Sequence, residues 1–154
     1  MGSAWRIVRA RRAATAFTGE GARLYGGRWS SPGVRVVYIS EHQSTAALET
    51  LVHALPAGVE QRYKAFQLEW PDELAEKLAA RKLPADWRAS PASSATMQIG
   101  DTWAREGRSA VLAVPSAITP ADTNFLLNPE HRDFAQIRVG PALDFEFDPR
   151  LLRG

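Results

Sequence analysis

The chemistry available to this chain starts with an arginine that follows two glycines. Arg28 stands in the run Leu24-Tyr25-Gly26-Gly27-Arg28-Trp29, where a glycine pair inside a strand-like stretch predicts a bulge or a close approach of a ligand to the backbone. The planar guanidinium fork of arginine binds carboxylates and phosphates. The segment therefore predicts an anion site, although an arginine in such a run is ordinarily a solvated surface residue.

Three further side chains in the first 116 residues could take part in the same chemistry. Tyr38 ends a β-branched run, Glu49 borders the apolar stripe of the next helix, and Ser116 follows a buried strand. Each also has an ordinary structural explanation. A tyrosine packs in the core with one partner for its hydroxyl, a helical glutamate pairs with a residue four positions on, and a serine after proline forms a turn.

Several enzyme classes are excluded by what the sequence lacks. The chain has no cysteine, which removes thiol nucleophiles and cysteine-ligated zinc and is typical of a protein from a reducing cytoplasm. It contains no GxGxxG, Walker A, HExxH or GxSxG motif. The three histidines are too scattered to place two ligands on one helix face. We therefore expect no metal site.

The charges are distributed unevenly along the chain. The net charge is only +2, yet residues 1–35 carry seven arginines against one glutamate, a net charge of +6. An arginine cluster suggests an anionic partner such as a nucleotide, a nucleic acid or an acidic protein. Compositional bias of the genome explains the same enrichment. The sequence has neither an apolar run long enough to span a membrane nor an apolar leader, so we expect a cytoplasmic protein.

The order of elements predicts an α+β fold: a compact single domain over residues 1–154 with a mixed, mainly antiparallel sheet and several short helices. A capping box at Ser40 predicts a helix as far as Leu55. Its apolar stripe is formed by Leu48, Leu51, Val52 and Leu55. A helix is predicted from Pro71 to Lys82 and another near Met97–Gly107. The segment after Pro115, which contains Asn124, is predicted to hold little regular structure.

Taken in order, these segments resemble the RES family, which is named for an Arg, a Glu and a Ser. The similarity covers nearly the whole chain, and no single motif in it is specific. It is carried by Trp5-Arg6, Gly26-Gly27-Arg28-Trp29, Ala47-Leu48-Glu49-Thr50-Leu51-Val52-His53, Gly100-Asp101 with Trp103, Asn128-Pro129-Glu130-His131 and Phe147-Asp148-Pro149-Arg150-Leu151.

The resemblance implies a toxin of a bacterial toxin-antitoxin system with an ADP-ribosyltransferase-like fold and NAD as its substrate. The implied partner is an Xre-type helix-turn-helix antitoxin, with a possible homodimer inside the complex and no direct contact with nucleic acid. By the same resemblance, Arg28, Tyr38, Glu49 and Ser116 are the catalytic set.

Cleavage of the nicotinamide–ribose bond passes through an oxocarbenium-like state, which requires a carboxylate near the ribose, an aromatic ring and a cation. Glu49, Tyr38 and Arg28 are expected to supply these groups. Gly26 and Gly27 offer backbone amides to the pyrophosphate. Arg6 is a second candidate phosphate ligand, and Ser116 and Asn124 are expected to orient the substrate or an attacking nucleophile.

The sequence is compatible with three functions. The leading hypothesis is NAD consumption, in which ADP-ribose passes to water or phosphate. The same residues would support ADP-ribose transfer to a protein. A third possibility is a non-catalytic module whose arginine-rich N-terminal region binds anions or nucleic acid, which steep salt dependence would reveal.

Overall fold

One sheet with a helix pair on one of its faces organises the chain. The computed structural model describes residues 1–60 and 62–153. The strands are β1 (Gly2–Arg9), β2 (Val37–Ser40), β3 (Tyr63–Trp70), β4 (Ala75–Lys77), β5 (Val111–Pro115), β6 (Thr123–Leu127), β7 (Arg138–Val139) and β8 (Leu143–Phe145). The helices are α1 (Glu20–Tyr25), α2 (Gln43–Ala54) and α3 (Ser94–Glu106), with 3-10 turns at Ala10–Thr15, Asp72–Leu74, Ala80–Lys82, Phe134–Gln136 and Pro149–Leu152.

The eight strands form a mixed sheet in the order β4-β5-β6-β2-β1-β3-β7, with β8 also paired to β3. All recorded pairings are antiparallel except that of β4 with β5. The predicted α+β class and mainly antiparallel sheet are confirmed.

Alternation along the strands divides the core between the two sheet faces. One face is covered by a single cluster that includes Ala4, Val37 and Leu68. On the other face, α3 packs Trp103 against β5 and β6, and α2 packs Ala46 and Leu51 against Ile7 of β1. Between the two helices, the sheet presents β2 and the start of β6. This gap is where a site can open onto the sheet.

The prediction of little regular structure after Pro115 is wrong for residues 123–127. Thr123–Leu127 form β6, which pairs with β2 on one side and β5 on the other. Asn124 had suggested a turn. In the fold, its side chain instead bonds to neighbouring side chains from within the strand, which is a tertiary interaction that local propensity does not reveal.

The helix that carries Glu49 is confirmed, but its predicted cap is wrong, and its predicted buried face is correct at Leu51 alone of the four stripe residues. Ser40 ends β2, and His42 is the N-cap with no side-chain capping bond. The buried residues of α2 are Thr45, Ala46, Leu51 and Ala54. Three stripe residues face outward instead, with exposures of 36% for Leu48, 50% for Val52 and 53% for Leu55. Because small residues such as Ala46 face β1, α2 lies close to the sheet. In this orientation of the helix, Glu49 faces the sheet.

Two other segments differ from expectation. Residues 71–82 form two 3-10 turns around β4 and not one helix, because the backbone leaves the 3-10 turn at Ala75 in an extended conformation and pairs with β5. Leu24 and Tyr25 end the helix α1 where a strand-like run was expected. The helix near Met97–Gly107 is confirmed as α3. No helix within the described ranges is long and apolar enough to cross a membrane.

Candidate active site

The loop that carries Arg28 is shaped by the two glycines before it. Gly26 adopts φ +72°, a conformation that side chains disfavour, and Gly27 exchanges backbone hydrogen bonds with Ser30. A Cβ atom on Gly27 would lie 2.5 Å from the Tyr38 hydroxyl. The glycine pair therefore allows a tight turn to lie directly against Tyr38.

Tyr38 holds this loop through its hydroxyl group. The hydroxyl oxygen accepts the Trp29 amide at 3.1 Å and lies 2.7 Å from Ser30 Oγ. Burial raises the pKa of Tyr38 to about 12, so the phenol is neutral at physiological pH. The expected role of its ring in stacking stays a prediction. The structure itself shows Tyr38 as the support of the Arg28 loop.

Helix α3 fixes the same loop from the other side. Thr96 Oγ1 donates to the Arg28 carbonyl oxygen at 2.6 Å, and the Ser31 amide donates to Asp101 Oδ1 at 2.8 Å. Gly100 lets α3 approach the Trp29 carbonyl group. Sequence reasoning assigned no role to Thr96 or Asp101. The one local signal was Gly100, because glycine inside a helix often marks close packing.

The Arg28 guanidinium is oriented by two backbone carbonyl groups. Its Nη1 donates to Trp87 O at 2.9 Å and to Ala89 O at 2.7 Å. Neither Nε nor Nη2 donates to any group in the described part of the chain. No carboxylate among residues 1–60 and 62–153 pairs with this positive charge, and the N–H groups of Nε and Nη2 remain for an anion.

Glu49 is held by one of its two carboxylate oxygens. Its Oε1 accepts Ser116 Oγ at 2.9 Å and Asn124 Nδ2 at 2.7 Å, whereas Oε2 accepts no hydrogen bond from residues 1–60 or 62–153. The side chain is half-buried. Such an arrangement fixes the carboxylate and leaves one oxygen for a ligand.

The surroundings of Ser116 and Asn124 explain how they hold Glu49. The buried Ser116 hydroxyl accepts the amides of Ile118 and Thr119, both at 3.1 Å, while it donates to Glu49. Asn124 Oδ1 accepts Ser40 Oγ at 2.8 Å, which fixes the orientation of the amide. Ser116 thus has its lone pairs engaged by amides and its proton directed at a carboxylate, which is the geometry of a support for Glu49.

The Tyr38 and Glu49 clusters lie on the same face of the sheet. Tyr38 and Ser40 are two residues apart on β2, so their side chains point to the same side about 7 Å apart. Asn124 is opposite Ser40 in the register of β2 and β6. The structure therefore brings together Tyr38, Glu49, Ser116 and Asn124, with Gly26, Gly27 and Arg28 in the adjoining loop.

Arg6 lies apart from this group. It follows Trp5, which is paired with Ser40, so its side chain points to the opposite face of the sheet. Its guanidinium donates to Ala16 O and Tyr38 O, both at 2.7 Å, and burial lowers its pKa to about 10. The phosphate contact of Arg6 stays a prediction, and in the structure its guanidinium connects β1 to the backbone of β2.

One group of side chains near the site has ligand types suited to a metal ion. Ligand atoms of Glu41, His42 and Asp122 lie within 4.8 Å of one another. Both carboxylates also have protein partners, because Glu41 accepts the Thr123 amide and Asp122 accepts the Thr45 hydroxyl.

Comparison with known proteins settles the family. The model of the RES domain matches residues 3–148. The chain belongs to the RES family. "Toxin Res" of Yersinia enterocolitica is 41% identical to this RES protein over 96% of the chain and 97% of the relative. "Prs ADP-ribosylating toxin" of a Sphingobium species is 38% identical over 98% and 97%. The resemblance stated from the sequence is confirmed.

A solved structure shares the fold. The crystal structure of the M. tuberculosis MbcT-MbcA toxin-antitoxin complex contains a chain that matches with a TM-score of 0.78 and 19% identity. The match covers 97% of this RES protein and 86% of the chain in the complex. At this identity the likeness supports the fold, and the chemistry of the site depends on the residues described above.

Proposed function

We propose that this RES protein is a cytoplasmic toxin that consumes NAD by cleaving its nicotinamide–ribose bond. The observation that carries the proposal is the Glu49 carboxylate, which is held through Oε1 while Oε2 has no partner in the described part of the chain. A fixed carboxylate on the same sheet face as Tyr38 suits a reaction in which positive charge develops on a sugar.

In the proposed reaction, Arg28 binds the pyrophosphate of NAD through Nε and Nη2. The Gly26–Gly27 turn lets the ligand approach the backbone, and Glu49 Oε2 accepts a hydrogen bond from the ribose and stabilises the oxocarbenium-like state. The bond between ribose C1′ and the nicotinamide nitrogen breaks, and its electron pair leaves with neutral nicotinamide. An oxygen of water or phosphate then bonds to C1′, and the proton of the attacking group passes to solvent.

No metal ion takes part in this proposal. The positive charge that a phosphate needs is supplied by Arg28, and the negative charge that the sugar needs by Glu49. NAD is therefore a substrate and not a resident cofactor.

The test is direct. Purified protein, freed of any antitoxin, is incubated with NAD with and without inorganic phosphate, and nicotinamide, ADP-ribose and its phosphorylated form are separated by chromatography. We expect wild type to release nicotinamide and Glu49→Gln to lose at least a hundredfold in rate, a magnitude typical of the loss of one preorganised electrostatic group. Glu146→Gln, which neutralises an exposed glutamate, is the matched control and should behave as wild type.

Intact NAD after incubation with wild type and candidate acceptors would refute the enzymatic proposal. Equal rates for wild type and Glu49→Gln would refute the site alone. Expression of wild type in a bacterium should arrest growth, and Glu49→Gln should relieve the arrest.

A second candidate reaction is transfer of ADP-ribose to a protein side chain. It is favoured by the relative named "Prs ADP-ribosylating toxin", which is 38% identical to this chain over nearly its whole length. The same cleavage step serves both reactions, and only the acceptor differs. Labelled NAD distinguishes them, because transfer leaves the ADP-ribose label on protein while hydrolysis or phosphorolysis leaves it in small molecules.

We also propose an antitoxin partner, for which an Xre-type helix-turn-helix protein is the expectation. The solved structure with this fold is a toxin-antitoxin complex, which supports a partner without fixing its type. Co-expression with the product of a neighbouring gene should restore growth, and the two proteins should copurify.

A further inference from the structure

A short segment before α3 contacts both the Arg28 side chain and the turn that follows Ser116. The carbonyl groups of Trp87 and Ala89 accept Arg28 Nη1 at 2.9 Å and 2.7 Å. Between them, Arg88 reaches in another direction, and its Nε donates to Ala117 O at 3.0 Å. We call residues Trp87–Ala89 the bridge.

The bridge is an ordered turn. The Trp87 amide donates to Pro84 O and the Ala89 amide to Asp86 O, at 3.1 Å and 2.9 Å. The Trp87 side chain packs against the core cluster under α3. A segment held by several contacts moves as a unit, so a displacement at one end also displaces the other end.

At the far end of the bridge, Ala117 directly follows Ser116 in the chain. Ser116 donates to Glu49 Oε1 at 2.9 Å. A continuous path therefore runs from Arg28 through the bridge, Arg88 and the Ser116 turn to Glu49. Every contact along it is a hydrogen bond or a peptide linkage.

We infer that Arg88 is a positioning residue that sets the separation between Arg28 and Glu49. The inference rests on the proposed function, in which Arg28 binds the pyrophosphate and Glu49 the ribose of one NAD molecule. The two groups must then match the spacing of a single substrate. Arg88 acts through this spacing and does not itself touch the substrate.

Arg88 is well suited to an experimental test because it is exposed. Loss of one exposed hydrogen bond to a carbonyl group should lower the Tm by less than about 3 °C. Small displacements of binding groups have much larger effects on rate than on stability. We expect Arg88→Ala to lower kcat/KM for NAD about tenfold, mainly through KM.

Two further variants define the role. Arg88→Lys keeps a cationic donor for Ala117 O and should recover kcat/KM to within about threefold of wild type. Arg132→Ala also removes an arginine charge, from a side chain that is 90% exposed, and should change nothing.

The decisive measurement is a double-mutant cycle on kcat/KM, taken from single-turnover assays with enzyme in excess over NAD but at concentrations below KM. If Arg88 acts through Arg28, Arg88→Ala should change the rate less than twofold in an Arg28→Ala background. A tenfold effect that persists in that background would show that Arg88 acts independently of Arg28 and would overturn the inference. Unchanged kcat/KM in Arg88→Ala alone, or a fall in Tm of more than 5 °C, would also overturn it. If wild type leaves NAD intact, the proposed function fails, and the inference fails with it; if wild type consumes NAD and Arg88→Ala matches it, the inference alone fails.

Discussion

The contact between α3 and the Arg28 loop predicts that Gly100→Ala destabilises the protein. A Cβ atom on Gly100 would overlap the Trp29 carbonyl oxygen and lie 2.8 Å from the carbonyl carbon. Backbone atoms cannot rotate away as a side chain can, so helix and loop must separate by on the order of 1 Å. Overpacking of this kind costs about 3 kcal/mol, and the better helix propensity of alanine returns about 1 kcal/mol. The net loss in the free energy of unfolding is about 2 kcal/mol.

The assay is urea unfolding followed by tryptophan fluorescence, together with a thermal melt. For a chain of this size, a loss of 2 kcal/mol lowers the Tm by roughly 6 °C. Gly21→Ala is the matched control, because Gly21 also lies in a helix and a Cβ there meets nothing within 4 Å. That variant should equal wild type or gain up to about 1 kcal/mol. A Gly100→Ala protein as stable as wild type would refute the packing argument.

Three other predictions concern the site. Asn124→Ala removes a donor 2.7 Å from Glu49 Oε1 and should slow NAD consumption about tenfold or more in steady-state assays, since a hydrogen bond to a charged group is worth about 1.5–3 kcal/mol. Burial raises the pKa of Tyr38 to about 12. The stability that the buried neutral phenol gives the folded protein is therefore fully present below pH 10 and is lost as the pH rises toward 12. The stability difference between wild type and Tyr38→Phe, measured by urea unfolding, should therefore shrink by about 1 kcal/mol between pH 9 and pH 11. Dialysis against EDTA should leave NAD consumption unchanged, and a loss of activity restored by a divalent cation would assign a role to Glu41, His42 and Asp122.

Local patterns were sufficient to predict the elements that carry two of the candidate residues. Alternation and β-branched residues predicted strands near Tyr38, and the apolar spacing of residues 48–55 predicted a helix with Glu49 on it. Of the predicted stripe, Leu51 faces the sheet and Leu48, Val52 and Leu55 face outward, because apolar spacing identifies a helix without saying which face meets the sheet. In this protein, Ala46 and Leu51 pack against Ile7 of β1, and a pattern of large apolar residues gives no weight to Ala46.

The remaining part of the site depends on pairings between distant segments. Asn124 reaches Glu49 across 75 residues of sequence, and Asp101 reaches the Ser31 amide across 70. Neither contact leaves a periodic signal, because one polar side chain in a strand or helix reads as a turn or a solvated surface. The ordered set of RES-like segments supplied what periodicity could not. It located the candidate residues without showing that Tyr38 and Ser116 act as supports in this fold.

The arginines of the N-terminal region differ in the groups that they contact. Arg9 and Arg11 pair with Glu60, and Arg23 and Arg35 pair with Glu20, so two carboxylates offset about half of the charge on these four arginines. Arg28 differs because neutral carbonyl groups orient it on the side of the sheet where Glu49 lies. An anion that binds there meets a cation whose charge no carboxylate in the described ranges has neutralised and whose direction is already fixed. Because both charge and orientation are in place before binding, little of the interaction energy is lost to ordering the side chain. The local environment of a single arginine, and not the net charge of the N-terminal region, is therefore what favours an anion at this position.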